Sequence, residues 1–299
     1  MYDLMIIGSG PAGISAALTA KARNLNFIWF GSRALSTKIE KAEKIMNYPG
    51  LPAVTGSEMQ SVFLKQIDDC GITITESQVN SIYDCGGYFA AGADNEIYEA
   101  KAVIMTVGMT TTREIEGEAR LLGCGVSYCA TCDGAFFKNK TVAVVGGGDV
   151  ALEDALYLSN ICEKVYLVHR RDELRGAKIL QSRIFETKNI EFKPSYEVSE
   201  IYGEDIVTGA KLLNKKTGEE EELSLSAVFI AVGMEPQSEF IKGLVDTDKT
   251  GYIIATEDCR TSMDKVYAVG DIRTKSLRQV VTAVADGAVA ITSIEQDTK

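Results

Sequence analysis

No stretch of this 299-residue sequence is apolar for the roughly 18–20 residues that cross a bilayer, so a membrane-spanning chain is not expected. Positive charge is also in deficit: 31 Lys and Arg stand against 42 Asp and Glu, a net charge of −11. That balance argues against nucleic acid or an anionic membrane as the main partner, because both need clustered cations. A closed disulfide framework is missing too. The seven cysteines (70, 85, 124, 129, 132, 162 and 259) are odd in number and scattered, and only 129 and 132 are closely paired. Such usage does not fit a secreted, stapled domain and points to a reducing, cytoplasmic compartment, where a CxxC pair is more often catalytic than structural. No signal peptide is expected either, since the apolar start Leu4-Met5-Ile6-Ile7 runs straight into a glycine motif and reads as a buried strand. With His169 as the sole histidine, the sulfurs of Cys124, Cys129 and Cys132 make a zinc site short of a fourth ligand, and no metal is expected.

What the chain does contain is a duplicated nucleotide fingerprint. Its length suits two domains. The first copy is a strand at Tyr2–Ile7, the turn Gly8-Ser9-Gly10-Pro11-Ala12-Gly13, a helix, and a second strand at 26–30. Glycines at these positions allow a tight turn and let backbone N–H groups approach a pyrophosphate at the helix N-terminus. The acid that would bind a ribose hydroxyl at the end of the second strand is absent, and Phe30-Gly31-Ser32 stands there instead, which weakens a plain NAD reading. The second copy has a strand at 142–145, the turn Gly146-Gly147-Gly148-Asp149-Val150-Ala151, a helix at 152–158 and a strand at 165–168. That last strand runs into His169-Arg170-Arg171, with Arg175 close behind, where the adenosine ribose should lie. A cationic cluster there suits the 2′-phosphate of NADP, the alternative being a solvated basic face.

Two apolar segments, 102–108 and 227–233, each end in glycine at the close of their own half, so the duplication is of domain scale. Between the two fingerprints lies Cys129-Ala130-Thr131-Cys132-Asp133-Gly134. Two nucleotide sites bracketing a dithiol imply electrons passing from one cofactor to another and then to sulfur. Near the C-terminus, 266–271 reads as a strand ending in Gly270-Asp271, and a helix is expected to start near Arg278-Gln279.

Taken together, GSGPAG (8–13), NYPG (47–50), CATCDG (129–134), GGGDVA (146–151), HRRDELR (169–175) and GDIRTKSLRQ (270–279) resemble the low-molecular-weight thioredoxin reductases over essentially the whole length. The resemblance implies an α/β protein of two Rossmann-like, three-layer ββα nucleotide-binding domains. An FAD domain would comprise 1–113 and 242–299, with an NADPH domain, 114–241, inserted into it and carrying the redox pair. FAD contacts are implied at Gly8, Gly10, Pro11, Ala12, Gly13, Gly31, Ser32, Lys38, Asn47, Val79, Gly108, Gly270, Asp271, Arg278, Gln279 and Val280. NADPH contacts are implied at Gly146, Gly148, Asp149, Val150, Ala151, His169, Arg170, Arg171 and Arg175. Cys132 would face the flavin, Cys129 would attack the disulfide of thioredoxin, and Asp133 would move the proton. A homodimer is implied, as is rotation of the inserted domain about connectors near Arg113–Gly117 and Phe240–Leu244. One departure stands out. The family's Gly-Gly-Gln-Leu segment beside the flavin is replaced by Ser32-Arg33-Ala34-Leu35-Ser36-Thr37-Lys38, a feature similar to the ferredoxin-dependent flavin thioredoxin reductases. Those relatives lose both nucleotide motifs of the second domain, which are intact here. Ferredoxin or another donor in place of NADPH therefore stays open, as does a flavin redox sensor without turnover.

Overall fold

Period-two alternation decides which face of a sheet each strand residue enters. In the computed structural model of the chain, every residue is described except 41, 43, 112, 113, 233, 298 and 299, together with the side chains of 37, 38, 111 and 234. The chain divides into two compact units, Met1–Thr110 with Glu235–Lys299, and Thr111–Met234.

In the first unit the sheet runs in the order Phe27–Phe30, Tyr2–Ile7, Glu96–Met105, Phe89–Ala93, Val79–Asp84. The first three strands are parallel, with Ile7 opposite both Phe30 and Met105. The long strand Glu96–Met105 changes partner along its length. Residues 96–100 pair antiparallel with Phe89–Ala93, while Val103–Met105 pair parallel with Val266–Ala268. Both faces are buried, which explains the unbroken apolar runs. Leu4, Ile6, Trp29 and Ile104 enter one core with the helices Pro11–Ala22, Gly56–Asp69 and Val280–Asp297. Met5, Ile7, Phe30 and Met105 enter the other, with the antiparallel strands and the segment around Ile253 and Ile272. The result is a helix layer, a parallel sheet and a β layer, as the α/β expectation had it.

The second unit repeats the plan. A parallel sheet runs Ile190–Pro194, Lys164–His169, Thr141–Val145, Ala227–Ile230, Val126–Ser127. Val142 and Val144 pack against the helix Asp149–Ser159, while Ala143 and Val145 pack toward the three-stranded sheet Tyr196–Tyr202, Gly209–Asn214, Glu220–Ser224. No helix among the described residues is long and apolar enough to cross a membrane.

Several expected boundaries move. Residues 235–241 belong to the first unit, not the inserted one. Gln237 N–H donates to the Gly108 carbonyl (3.2 Å), the Ser238 hydroxyl donates to Gly251 (2.7 Å), and Phe240, Ile241 and Leu244 pack into the first unit's core. The expected connector Phe240–Leu244 is thus core. Of the other connector, Arg113 lies outside the described residues and Ile115 is buried in the second unit. The apolar segments 102–108 and 227–233 end as strands at Met105 and Ile230, and Gly233 lies outside the described residues. The C-terminal strand stops at Ala268, because Gly270, at φ +72°, turns the chain into the 3₁₀ turn Gly270–Ile272.

Candidate active site

Each glycine of the first fingerprint has a separate task. Gly8 sits at φ +116°, a left-handed turn made just as the chain leaves its strand. A side chain at Gly13 would collide with the Gly8 carbonyl, so that glycine lets helix and turn touch. Gly10 is different, because a Cβ there would meet nothing within 4 Å. It faces an open cradle at the start of the helix Pro11–Ala22, whose N-terminus carries no side-chain cap. Uncapped N–H groups at an open helix start are what a pyrophosphate needs, so these residues fit the cofactor. The turn is braced by residues the sequence did not single out. The Thr106 hydroxyl bonds to the Gly8 carbonyl (2.7 Å), Trp29 Nε1–H donates to the same oxygen (2.9 Å), and Ser9 Oγ accepts from Ser32 N–H (2.9 Å).

Around this turn the other FAD candidates fall in varied places. Gly31 packs against the Ser9 side chain, and its own N–H donates to Thr75 (3.1 Å). Gly108 is at φ +68° beside open space. Asn47 is exposed, Val79 is buried in the sheet, and the side chain of Lys38 lies outside the described residues. At the C-terminal end, a Cβ on Gly270 would stand 3.1 Å from Ala12 Cβ, so that turn packs directly on the first helix. Arg278 donates to the carbonyls of Asp271 and Arg273 (both 3.3 Å) and stacks over the Tyr252 ring at 4.1 Å. Gln279 N–H donates to Thr282 Oγ1 (3.1 Å), and the last helix starts at Val280, one residue beyond the expected Gln279.

The second fingerprint uses the same division of labour. Gly146 is at φ +154°, Ala151 is fully buried against it, and Gly148 faces open space at another uncapped helix N-terminus. Here the helix starts at Asp149, three residues before the expected 152. The arginine loop is fastened to this turn: Arg175 N–H and Gly176 N–H donate to Gly147 O (2.6 and 3.1 Å), and Ala177 N–H donates to Asp149 Oδ1 (2.6 Å). Arg170, Arg171 and Arg175 are exposed, and none is in an ion pair among the described residues. The nearest acid in sequence, Asp172, is held elsewhere by the Ser195 hydroxyl and by Lys216 (2.5 Å). His169 does not stand out with them. Its ring is 4% exposed and packs under Gly147, and its buried Nε2 has no hydrogen-bond partner among the described residues. Burial, then the charges of Arg175, Arg171 and Arg170, lower its pKa, so it is a neutral support beneath a cationic rim.

Cys129 and Cys132 are joined as a disulfide with Cα atoms 5.3 Å apart, across the single turn Ala130–Asp133. Cys129 caps that turn, its Sγ accepting from Cys132 N–H (3.2 Å). Ser127 organises the turn from the preceding strand. Its hydroxyl donates to Asp133 Oδ2 (2.6 Å) while Oγ accepts from Cys129 N–H (3.0 Å). Cys132 is exposed and Cys129 half-buried, so the pair is open to exchange. Ser127 was visible in the sequence only as a small residue before the motif, and its bond to Asp133 depends on the turn that the cysteines close.

A glycine cradle, a second cradle rimmed with free arginines, and a disulfide between them in sequence are the parts of a known architecture. The model of the pyridine nucleotide-disulphide oxidoreductase family matches residues 2–287. The chain belongs to that family. Among this family's members, the thioredoxin reductase of Bacillus subtilis is 38% identical over 297 residues, 99% of this chain and 94% of its own. The crystal structure of thioredoxin reductase from Streptococcus pyogenes is 40% identical, covers 100% of this chain and 98% of its own, and superposes with a TM-score of 0.91. A ferredoxin-flavin thioredoxin reductase from Clostridium acetobutylicum, 34% identical over 99% of this chain and 96% of its own, has a TM-score of 0.56. As a pyridine nucleotide-disulphide oxidoreductase, the chain has one cystine among its described residues, Cys129–Cys132. Cys70, Cys85, Cys124, Cys162 and Cys259 are free.

Proposed function

We propose that this protein is a thioredoxin reductase that takes its electrons from NADPH. The observation carrying the reading is the Cys129–Cys132 disulfide, closed in one turn with Asp133, in the same unit as the arginine-rimmed cradle. FAD, when bound by Gly8, Gly10, Gly13 and the Gly270–Gln279 loop, supplies the two-electron link between a nicotinamide and sulfur. Gly146, Gly148 and the helix start at Asp149 would seat the second pyrophosphate. Arg170, Arg171 and Arg175 would hold its 2′-phosphate with permanent, bidentate charge.

In the dithiol state Cys129 attacks the disulfide of thioredoxin as a thiolate, forming a mixed disulfide and releasing one thioredoxin sulfur. Cys132 then attacks Cys129 Sγ, re-forming the Cys129–Cys132 bond and releasing the second sulfur. Two electrons pass to the partner in all. Asp133, whose Oδ2 accepts from the Ser127 hydroxyl, would hand a proton to a departing thiolate. Assembly as a homodimer and a cytoplasmic location complete the reading, the latter in keeping with five free cysteines.

The test is thioredoxin reduction driven by NADPH and by NADH, for the wild type and an Arg170→Ala/Arg171→Ala variant. Two charge-assisted contacts at ~1.5–3 kcal/mol each correspond to a preference for NADPH of about 10²–10⁴-fold in kcat/KM, lost in the variant. Equal use of the two nucleotides by the wild type would refute the assignment of the arginines.

A further inference from the structure

We propose that Asp286 is a positioning residue for the flavin, holding the loop 270–279 in its cofactor-facing form from the helix beneath and setting the charge under it. The inference rests on the FAD reading of the first unit. One carboxylate accepts four N–H bonds: from Gly270 N–H (2.9 Å), Arg273 Nε (2.9 Å), Arg273 Nη2 (3.0 Å) and Lys275 Nζ (2.8 Å). The side chains of Arg273, Lys275 and Asp286 are 6%, 8% and 10% exposed, so this is an interior cluster and not a surface pair.

Its reach covers the loop. Gly270 N–H fixes the turn on which Asp271 follows. Arg273 passes the constraint on, because its own carbonyl accepts from Arg278 Nη2 (3.3 Å) while its Nη1 donates to Thr256 and Thr274 (3.4 and 3.3 Å). Lys275 Nζ also donates to the Thr282 carbonyl (3.3 Å), tying the loop to the first turn of the last helix. That helix is itself seated on the first one, where a side chain at Gly287 would collide with the Ala12 carbonyl. Asp286, the Gly270 turn and Ala12 of the glycine fingerprint are thus one packed block.

Charge adds a second consequence. Within the hydrogen-bonded cluster two buried cations face one carboxylate, a net positive charge beneath the loop, while the carboxylates of Glu257 and Asp258 act on Arg273 and Cys259 from outside it. A purely structural role would be met as well by apolar packing. Burial by itself would raise the Asp286 pKa, but the bonds from Arg273, Lys275 and Gly270 outweigh it and hold the group ionised. The Cys259 thiol lies 3.7 Å from the Asp286 carbonyl. Burial pushes that thiol up to about 12, so it stays neutral and does not offset the cations. Fixed protein charge near a flavin tunes its electronics, and positive charge favours the electron-richer, reduced form.

The experiment measures FAD affinity of the apoprotein and the midpoint potential of the bound flavin, in wild type, Asp286→Asn and Lys275→Met. Asp286→Asn raises the net buried charge. The potential is expected to move positive by ~30 mV for each tenfold gain in the preference for reduced over oxidised cofactor, with FAD affinity falling at least about tenfold. Lys275→Met removes one cation and is expected to move the potential negative, which also covers the case in which Asp286→Asn fails to fold. Loosening of the loop alone would move both variants the same way, so shifts of one sign in both, or no shift in either, overturn the proposal. A wild-type protein that does not bind FAD overturns the reading beneath it instead, and the two failures are distinguishable.

Discussion

Beyond the first fingerprint, the chain leaving its second strand carries Arg33 two residues past Gly31, and that guanidinium is already engaged. Asp68 accepts from both of its terminal nitrogens, at 3.0 and 2.9 Å, and Glu76 accepts from its backbone N–H. At the corresponding place beyond the second fingerprint, Arg170 and Arg171 are exposed and in no ion pair among the described residues, while Asp172 is turned toward Lys216. The two glycine turns bend alike, each with a left-handed first glycine and an open later one. What differs is the disposition of charge after the next strand. On the proposed reading, the glycines would provide a generic pyrophosphate seat and the neighbouring cations, free or paired, would select which nucleotide occupies it.

The division of labour can be broken at its sulfur end with the largest effect. Cys129→Ser and Cys132→Ser should each abolish thioredoxin reduction while the protein stays yellow and its flavin is still reduced by the donor, as followed by absorbance. Either variant retaining near wild-type turnover would remove the dithiol from the relay. Asp133→Asn should slow turnover by about 10–10⁴-fold, the range for loss of a positioned acid–base group, read from kcat under saturating thioredoxin. The two cradles can then be set against each other. Gly10→Val should weaken FAD binding to the apoprotein, and Gly148→Val should weaken NADP binding to the flavoprotein, each by about 10–10²-fold with the other ligand little changed, as measured by calorimetry. If both variants weakened the same ligand, the assignment of seats would fail.

The smallest effect separates two carboxylates, one in each unit. Burial, helped by Glu153, pushes Asp154 in the second unit up to about 6, whereas Asp286 in the first is held down by its cations. A raised carboxyl pKa means that the folded state binds its proton more tightly than the unfolded chain does. Asp154 therefore costs nothing below about pH 4 and destabilises increasingly as pH rises to about 6. Asp154→Asn should raise stability at pH 7 by about 1–2 kcal/mol, allowing for partial exposure, with the gain gone at pH 4 in urea unfolding. A gain that is constant with pH would point to packing instead of charge.

The local motifs were legible in the sequence because the chain itself joins their parts. Gly8, Gly10 and Gly13 lie within six residues, and Cys129 to Asp133 within one turn, so spacing alone conveys geometry. Unbroken apolar runs likewise announced the parallel core strands, which are buried on both faces. What could not be read were bonds between distant positions. Thr106 braces Gly8 across 98 residues, and Asp286 meets Gly270 from the far helix; no local pattern marks either partner. The second boundary was misplaced for the same reason, since residues 235–241 are ordinary in composition and are claimed for the first unit only by contacts with Gly108, Gly251 and its core. His169 read as one more cation beside two arginines, whereas the fold buries it under Gly147 and leaves it neutral.

On the proposed reading the free arginines make NADPH the donor, in a chain whose Ser32–Lys38 segment is similar to the ferredoxin-linked relatives. Anaerobic rapid mixing of the oxidised protein with NADPH, NADH or reduced ferredoxin, following the flavin's visible absorption, tests it most directly. Rapid bleaching by NADPH is expected, with bleaching by NADH at least about 100-fold less efficient and none by ferredoxin on the timescale of turnover. NADPH that binds without bleaching the flavin, while reduced ferredoxin bleaches it fast, would contradict it.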